Sequence, residues 1–392
     1  MKILFLSRWF PWPTTNGSKL RIYNLLRGLA DHHEITLLSF ADHPSANPKS
    51  PELINICKQV QVVGWKPYQP GSQKARLGFM SAIPRSIYDT FSLEMGQRIQ
   101  ALISEDSIDF VIASGIETAC YCEYFRGIPA LFEEVEIAVP YERFINAPTL
   151  LHRIRSGLTW AKHKRYLRQI LSAYQACTVV SEKEKVLLST ALPDYKSIHV
   201  IPNCVQLSDY HNNDEPQPDT LIFTGSFQYN VNYEGIKWFL SKVFPKILLK
   251  APETKLTITG DHMNRPVIPN MNVTLTGFVE DVHPMIARAW VSLVPILEGG
   301  GTRLKILEAM ALRTPVVSTR KGAEGLDVQD GVDILIADEP ENFAEMVVRL
   351  LKEPELHHRL AENAYKLVAT KYNWSVVIPR VLNLISEVAH PE

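Results

Sequence analysis

The chain contains no Cys-x-x-Cys pair, no Asp-x-Asp, no internal repeat and no low-complexity tract. Its five cysteines (Cys57, Cys120, Cys122, Cys177 and Cys204) are odd in number and irregularly spaced. That argues against a disulfide framework and fits free thiols in a reducing compartment. Cys120 and Cys122 are too close and too few to make a zinc site by themselves. The formal net charge is -1, so no global basic field draws the chain to nucleic acid or membrane. No stretch approaches the ~18 apolar residues of a membrane span. The opening MKILFLSRWF is too short an apolar run for a signal peptide, and Arg8 interrupts it. These absences lead to the expectation of a cytoplasmic protein with no nucleic-acid partner. Without an Asp-x-Asp, clustered carboxylates for magnesium are missing, so neither a metal nor a cofactor is expected.

The 392 residues are 46% hydrophobic, enough for two cores. The run KILFLS at 2–7 reads as a strand buried on both faces. A loop with Pro11, Pro13, Asn16 and Gly17 follows, then helical spacing over Lys19 to Leu29, then the strand EITLLSF at 34–40. This βαβ opening implies a parallel sheet with ligands at the carboxyl ends of its strands. Strands are also expected at 109–113, 129–132, 176–181 and 197–201, with a long helix over 150–173. The Pro/Asn/Asp-rich segment 202–219 has linker composition. A second alternating half follows, with strands at 221–224, 255–259, 273–276, 291–294, 315–318 and 334–336. It also carries a helix over 232–250 and a final amphipathic helix over 374–388. The expected organisation is α/β, with two doubly wound domains facing across a cleft. The boundaries are 1–205 and 220–372, joined by a linker at 206–219 and followed by a terminal helix segment at 373–392.

The stretch GGGTRLKILEAMALRTPVVST, from Gly299 to Thr319, carries the most chemistry. Glycine lets backbone N–H groups approach a ligand closely. A helix starting just after adds unpaired N–H groups and a positive dipole end. Arg303 and Lys305, expected in its first turn, add fixed charge. This combination suits a diphosphate. Glu308, one turn beyond Lys305, is placed to accept hydrogen bonds from a ribose diol. The alternative is a glycine-rich loop before an ordinary amphipathic helix.

Four segments together resemble a known family: SRWFPWPTTNGSKLRIYNLLRGLA, TGSFQYNVNYEGIKWF, TGFVEDVHPMIARA and GGGTRLKILEAMALRTPVVSTRKGAEGL. They are similar to the GT-B-fold retaining glycosyltransferases of glycosyltransferase family 4 (glycosyl transferases group 1). The resemblance implies two Rossmann-like domains, with the last helix crossing back to the first. It implies a UDP-, GDP- or ADP-sugar donor held mainly by the second domain, and a glycan, lipid-linked or small-molecule acceptor held by the first. Retention of anomeric configuration, a metal-free reaction and a role in polysaccharide biosynthesis come with it. The leaving phosphate would take the acceptor proton.

Residue by residue, Glu308 matches the second glutamate of the family's Glu-x7-Glu motif, and Gly300 occupies the position of the first. Glu298 is the substitute from the same loop. Arg303 and Lys305 are expected to stabilise the leaving diphosphate, replacing the Arg and Lys that the family carries in the segment occupied here by GSFQYNVNYEG. Gly17, Gly225, Ser226, Gly299, Gly301 and Thr302 line the donor, and Phe278 and Val279 lie in the base-reading loop. Glu133, Glu134 and Glu136 stand where many members carry a histidine. They are read either as sugar-hydroxyl ligands or as a solvated turn.

Two other features stay open. Lys19 and Arg21 either flank the ligand or form a solvated helix face. The basic helix near 152–170 either rests peripherally on the inner face of a membrane or presents one solvated basic face. Other functions for such a chain are a nucleotide-sugar epimerase, an inverting GT-B transferase, or a nucleotide-sugar-binding protein with weakened catalysis.

Overall fold

The computed structural model describes residues 1–211, 215–268, 270–299 and 301–390. The chain divides into two units, one of residues 1–202 with 378–392 and the other of residues 203–377. Each is an α/β unit built on its own all-parallel sheet.

The first sheet has seven strands: β1 Lys2–Ser7, β2 Glu34–Ala41, β3 Gln59–Gly64, β4 Phe110–Ser114, β5 Ala130–Glu133, β6 Ala176–Val179 and β7 Ile198–Val200. Their order is β3-β2-β1-β4-β5-β6-β7. The central strands are continuous apolar runs because helices cover both faces. Ile3, Leu4, Phe5 and Leu6 are all fully buried. β3 was not expected from the sequence. Its run QVQVVG alternates polar and apolar residues, as an edge strand with one wet face does. The last helix, Trp374–Ala389, enters this unit from Ile378 onward. A Cβ on Gly28 would lie 2.3 Å from Ile378 Cδ1, so glycine there lets the two helices pack closely.

The second sheet has six strands: β8 Gln217–Thr224, β9 Lys255–Thr259, β10 Val273–Gly277, β11 Ala289–Val294, β12 Val316–Ser318 and β13 Leu335–Ile336. Their order is β10-β9-β8-β11-β12-β13. Alternation along β8 divides the core. Leu221 and Phe223 pack with Ile236, Phe239 and Phe343, and Ile222 packs with Leu307 and Met310 on the opposite face. The helix expected over 232–250 is two helices, Asn230–Trp238 and Phe244–Lys250, separated by a π-type turn at Phe239–Val243. Pro245 lacks the N–H that a continuous helix needs. Part of the expected linker is also structured: a 3-10 turn occupies Leu207–Asp209 and β8 begins at Gln217.

Strand order reverses between β1 and β4 in the first sheet, and between β8 and β11 in the second. In open parallel sheets the crevice beyond the carboxyl ends of such strands is where ligands bind.

Candidate functional site

In the second unit the loops leaving β8 and β11 carry the residues singled out from the sequence, one set on each side of the reversal. β8 ends at Thr224, and Gly225 follows with φ +149°. Its N–H donates to the Thr259 carbonyl at 3.2 Å. A Cβ on Gly225 would lie 2.9 Å from Lys305 Nζ and 2.7 Å from Asn232 Nδ2. Gly260, at φ +106°, packs its backbone on the same loop, where a Cβ would sit 2.7 Å from the Ser226 nitrogen. Glycine at both positions lets two strand-end loops and a lysine share this small space.

Lys305 reaches back from the helix Leu304–Ala311 to the end of β8. Its ammonium donates to the Thr224 carbonyl and to Asn232 Oδ1 at 3.1 Å, and it lies 4.5 Å above the Phe223 ring. Asn232 in turn donates from Nδ2 to the Ser226 carbonyl at 3.0 Å. Burial, reinforced by the nearby Arg303 charge and opposed by Glu308, pushes the Lys305 pKa down to about 7.

Arg303 is not in the first turn, as expected, but at the capping position before Leu304. Its extended backbone (φ -89°, ψ 97°) ends the glycine loop before the helix begins. The guanidinium closes that loop, with Nη2 donating to the Gly299 carbonyl at 3.0 Å and to the Glu298 carbonyl at 3.3 Å. Gly299 and Gly301 have φ of +93° and +82°. Gly300 lies outside the described residues. The Glu298 side chain is exposed. Thr302 accepts from Asn203 Nδ2 at 2.6 Å. Among the described residues no side chain caps the helix Leu304–Ala311, which suits an anion at its N-terminus.

Glu308 is half-buried, and burial raises its carboxyl above the usual range against the opposing charges of His283 and Lys305. The Tyr210 and His283 rings lie 4.5 Å apart, and the Glu308 charge acts on the Tyr210 hydroxyl. Phe278, 72% exposed, and Val279 follow β10 on the same rim. The Gly260 N–H donates to the Gly277 carbonyl at 2.8 Å, linking that rim to the Gly225 loop. Sequence reasoning missed Asn232, Tyr210 and His283. Only Asn232 had a local signal, a polar side chain opening the helix after a strand-end glycine.

In the first unit Gly17 is exposed at the start of the helix Gly17–Ala30, where the Asn16 side chain caps by accepting from the Lys19 N–H at 3.0 Å. Lys19 and Arg21 do not form a solvated helix face. Lys19 makes a buried ion pair with Asp42 at 3.0 Å. Arg21 is buried on Glu133, with Nε donating to Oε1 at 2.7 Å. Buried charges are paired because an isolated one costs several kcal/mol.

The three acids at the carboxyl end of β5 separate in role. Glu133 is held by Arg21 and by the Ser114 hydroxyl at 2.6 Å. Glu134 takes the left-handed conformation (φ +60°), with its N–H donating to Thr178 Oγ1 at 2.9 Å. Glu136 is exposed. Burial, opposed by Arg21 and reinforced by Glu133, Glu136 and Glu117, raises the Glu134 pKa to about 8.

Because the folded pKa lies above the unfolded one, stability from Glu134 is full below about pH 4.5 and is lost as pH rises through about 8. Glu134→Gln should therefore unfold later than the native chain at alkaline pH, by roughly 1–2 kcal/mol after allowance for solvent screening. Urea unfolding on both sides of neutrality tests this. Parallel pH curves for the two proteins would refute it.

The fold and its glycine-lined strand ends define the class: two Rossmann-like α/β domains of the GT-B fold class. Residues 218–353, which contain most of the second-domain site, match the family model described as Glycosyl transferases group 1. The chain is 23% identical over 399 aligned residues to an uncharacterized 44.6 kDa protein in the cps region of Klebsiella pneumoniae, covering 95% of this chain and 96% of that one. Over 169 residues it is 28% identical to alpha-D-kanosaminyltransferase of Streptomyces kanamyceticus, covering 40% of this chain and 43% of that one. The crystal structure of Anabaena HepE in complex with UDP and glucose superimposes with a TM-score of 0.65 at 14% identity, over 99% of this chain and 100% of that one. That last likeness is one of fold. Among the described residues no helix is long and apolar enough to cross a membrane.

Proposed function

We propose that the protein is a glycosyltransferase that moves a sugar from a nucleotide diphosphate donor to a glycan, lipid-linked or small-molecule acceptor, with retention and without a metal. One observation carries this reading. Lys305, Arg303 and Glu308 stand with Gly225 and Gly299 at the strand reversal of the second sheet, inside the segment matched to Glycosyl transferases group 1. As the glycosidic bond breaks, the anomeric carbon gains positive charge and the diphosphate leaves with negative charge. Donors preorganised around that leaving group lower the barrier. Lys305 and the uncapped amides of the helix Leu304–Ala311 supply them, while Arg303 holds the loop that presents its glycines. Glu308 accepts from the ribose diol, and the backbone at Phe278 and Val279 reads the base. Glu134, protonated near neutrality, is a hydrogen-bond donor to a sugar hydroxyl.

A screen of UDP-, GDP- and ADP-sugars, with the product's anomeric configuration read by NMR, tests the proposal. One nucleotide class should be consumed to the free nucleoside diphosphate, with retained configuration in the glycosylated product. Tight nucleotide binding without turnover would make the chain a binding protein. An isomerised nucleotide sugar would make it an epimerase.

A further inference from the structure

We infer that the first unit docks on an anionic phospholipid bilayer through one built surface, made by the outer half of the helix Leu150–Leu171 and the loop tip at 78–80. This helix forms a hairpin with the helix Ala138–Ile145. Tyr141 packs on Trp160 with ring centroids 5.3 Å apart, and Gly157 leaves room for Phe144, whose Cε2 would lie 2.9 Å from a Cβ there. The inner end of the long helix is buried through Tyr166, Leu167, Ile170 and Leu171. Its outer end, Leu150 to Arg155, is exposed.

On that outer half Leu150, Leu151, Ile154 and Leu158 follow one face of the helix and are 75%, 75%, 54% and 69% exposed. Lys162, one turn beyond Leu158, donates from Nζ to the Gly78 carbonyl at 2.6 Å. That bond brings the tip carrying Phe79 and Met80, 64% and 94% exposed, against the same helix. Arg85 stacks 3.6 Å over the Phe79 ring and holds it in place. Clustered exposed aliphatic side chains of this size mark an interaction surface.

Charge selects the occupant. Segments 73–86 and 150–171 carry nine Lys and Arg residues and no Asp or Glu, in a chain whose net charge is -1. A second copy of the same face would set nine cations against nine. An anionic lipid surface meets both features, since its headgroups attract the cations and its acyl boundary takes the aliphatic stripe. The hairpin follows the carboxyl end of β5, so an acceptor carried in the bilayer would be delivered to the rim that holds Glu134.

The test uses the full chain and sedimented vesicles, either equal parts phosphatidylglycerol and phosphatidylcholine or phosphatidylcholine alone. Partitioning should favour the anionic vesicles by on the order of tenfold or more and weaken as salt rises. Arg153→Glu/Arg155→Glu and, separately, Leu151→Ser/Ile154→Ser/Leu158→Ser should each lower it by about tenfold. All five positions are exposed, and circular dichroism checks that both variants fold. Equal partitioning to the two vesicles, or unchanged partitioning in both variants, would overturn the inference. So would a solution dimer that the triple-serine variant abolishes. Nucleotide turnover is not read in this experiment, so its outcome is separate from that of the catalytic proposal.

Discussion

Lys305→Ala should lower sugar transfer about a hundredfold, equivalent to about 3 kcal/mol of lost transition-state stabilisation. The size follows from the site. Lys305 is half-buried beneath the Gly225 loop, so its charge is only partly screened there. Deleting it also leaves the Thr224 carbonyl and Asn232 short of a donor, a stability cost of about 1–2 kcal/mol. The variant should still fold, because the core beneath, including Phe223 and Leu307, is untouched.

A second signature separates charge from packing. With a pKa of about 7 in the free protein, Lys305 is neutral above that pH and must take up a proton to meet a diphosphate. Nucleoside diphosphate affinity should then fall as pH rises above about 7, by up to tenfold per unit, and the alanine variant should lack that slope. The stability contribution has the opposite sign. Because the folded pKa lies below the unfolded one, the unfolded chain binds more protons between about pH 7 and 10.5, and this lysine makes stability rise with pH across that window. Calorimetric titration of UDP, GDP and ADP across this pH range, with steady-state turnover beside it, measures the first, and urea unfolding over the same range measures the second. Native turnover in Lys305→Ala would remove the lysine from the mechanism.

Arg21→Met should destabilise the first unit by about 3–5 kcal/mol. Arg21 is 1% exposed and ties three segments together. Beyond its ion pair with Glu133, at 2.6 Å from Nη2, it donates to the Pro202 and Ile201 carbonyls, each at 2.9 Å. Removing the guanidinium leaves a carboxylate in the interior with the Ser114 hydroxyl as its remaining named partner. Arg21→Met/Glu133→Leu removes both charges, and an apolar pair of similar volume is often no less stable than a buried ion pair. The double variant should therefore recover most of the loss in urea unfolding. If it unfolds as early as the single variant, the cost lies in the lost carbonyl contacts and not in the stranded charge.

Much of the fold was legible because parallel strands covered by helices must be continuous apolar runs. KILFLS, EITLLSF, LIFT and KLTIT all lie on the strands expected of them. The edge strand Gln59–Gly64 was not, since one wet face breaks up its apolar run. The glycine-rich segment was legible because its parts are neighbours in sequence: glycines, two cations and a helix start, although Arg303 falls at the cap and not in the first turn. What Lys305 touches was not. Thr224 and Asn232 lie 81 and 73 residues away, and no local pattern encodes that meeting.

By itself the sequence determined two alternating α/β halves and a loop with the composition of an anion cradle, because backbone preference and apolar periodicity are local properties. The tertiary structure decided which charges do chemistry and which hold the fold. The sequence left Lys19 and Arg21 as either ligand neighbours or a solvated face, and folding buried them on Asp42 and Glu133. Lys305 became a titratable group near neutrality only when two strand ends closed over it. A side chain's charge state and role depend on the dielectric and partners around it, and those are assembled from residues far apart along the chain.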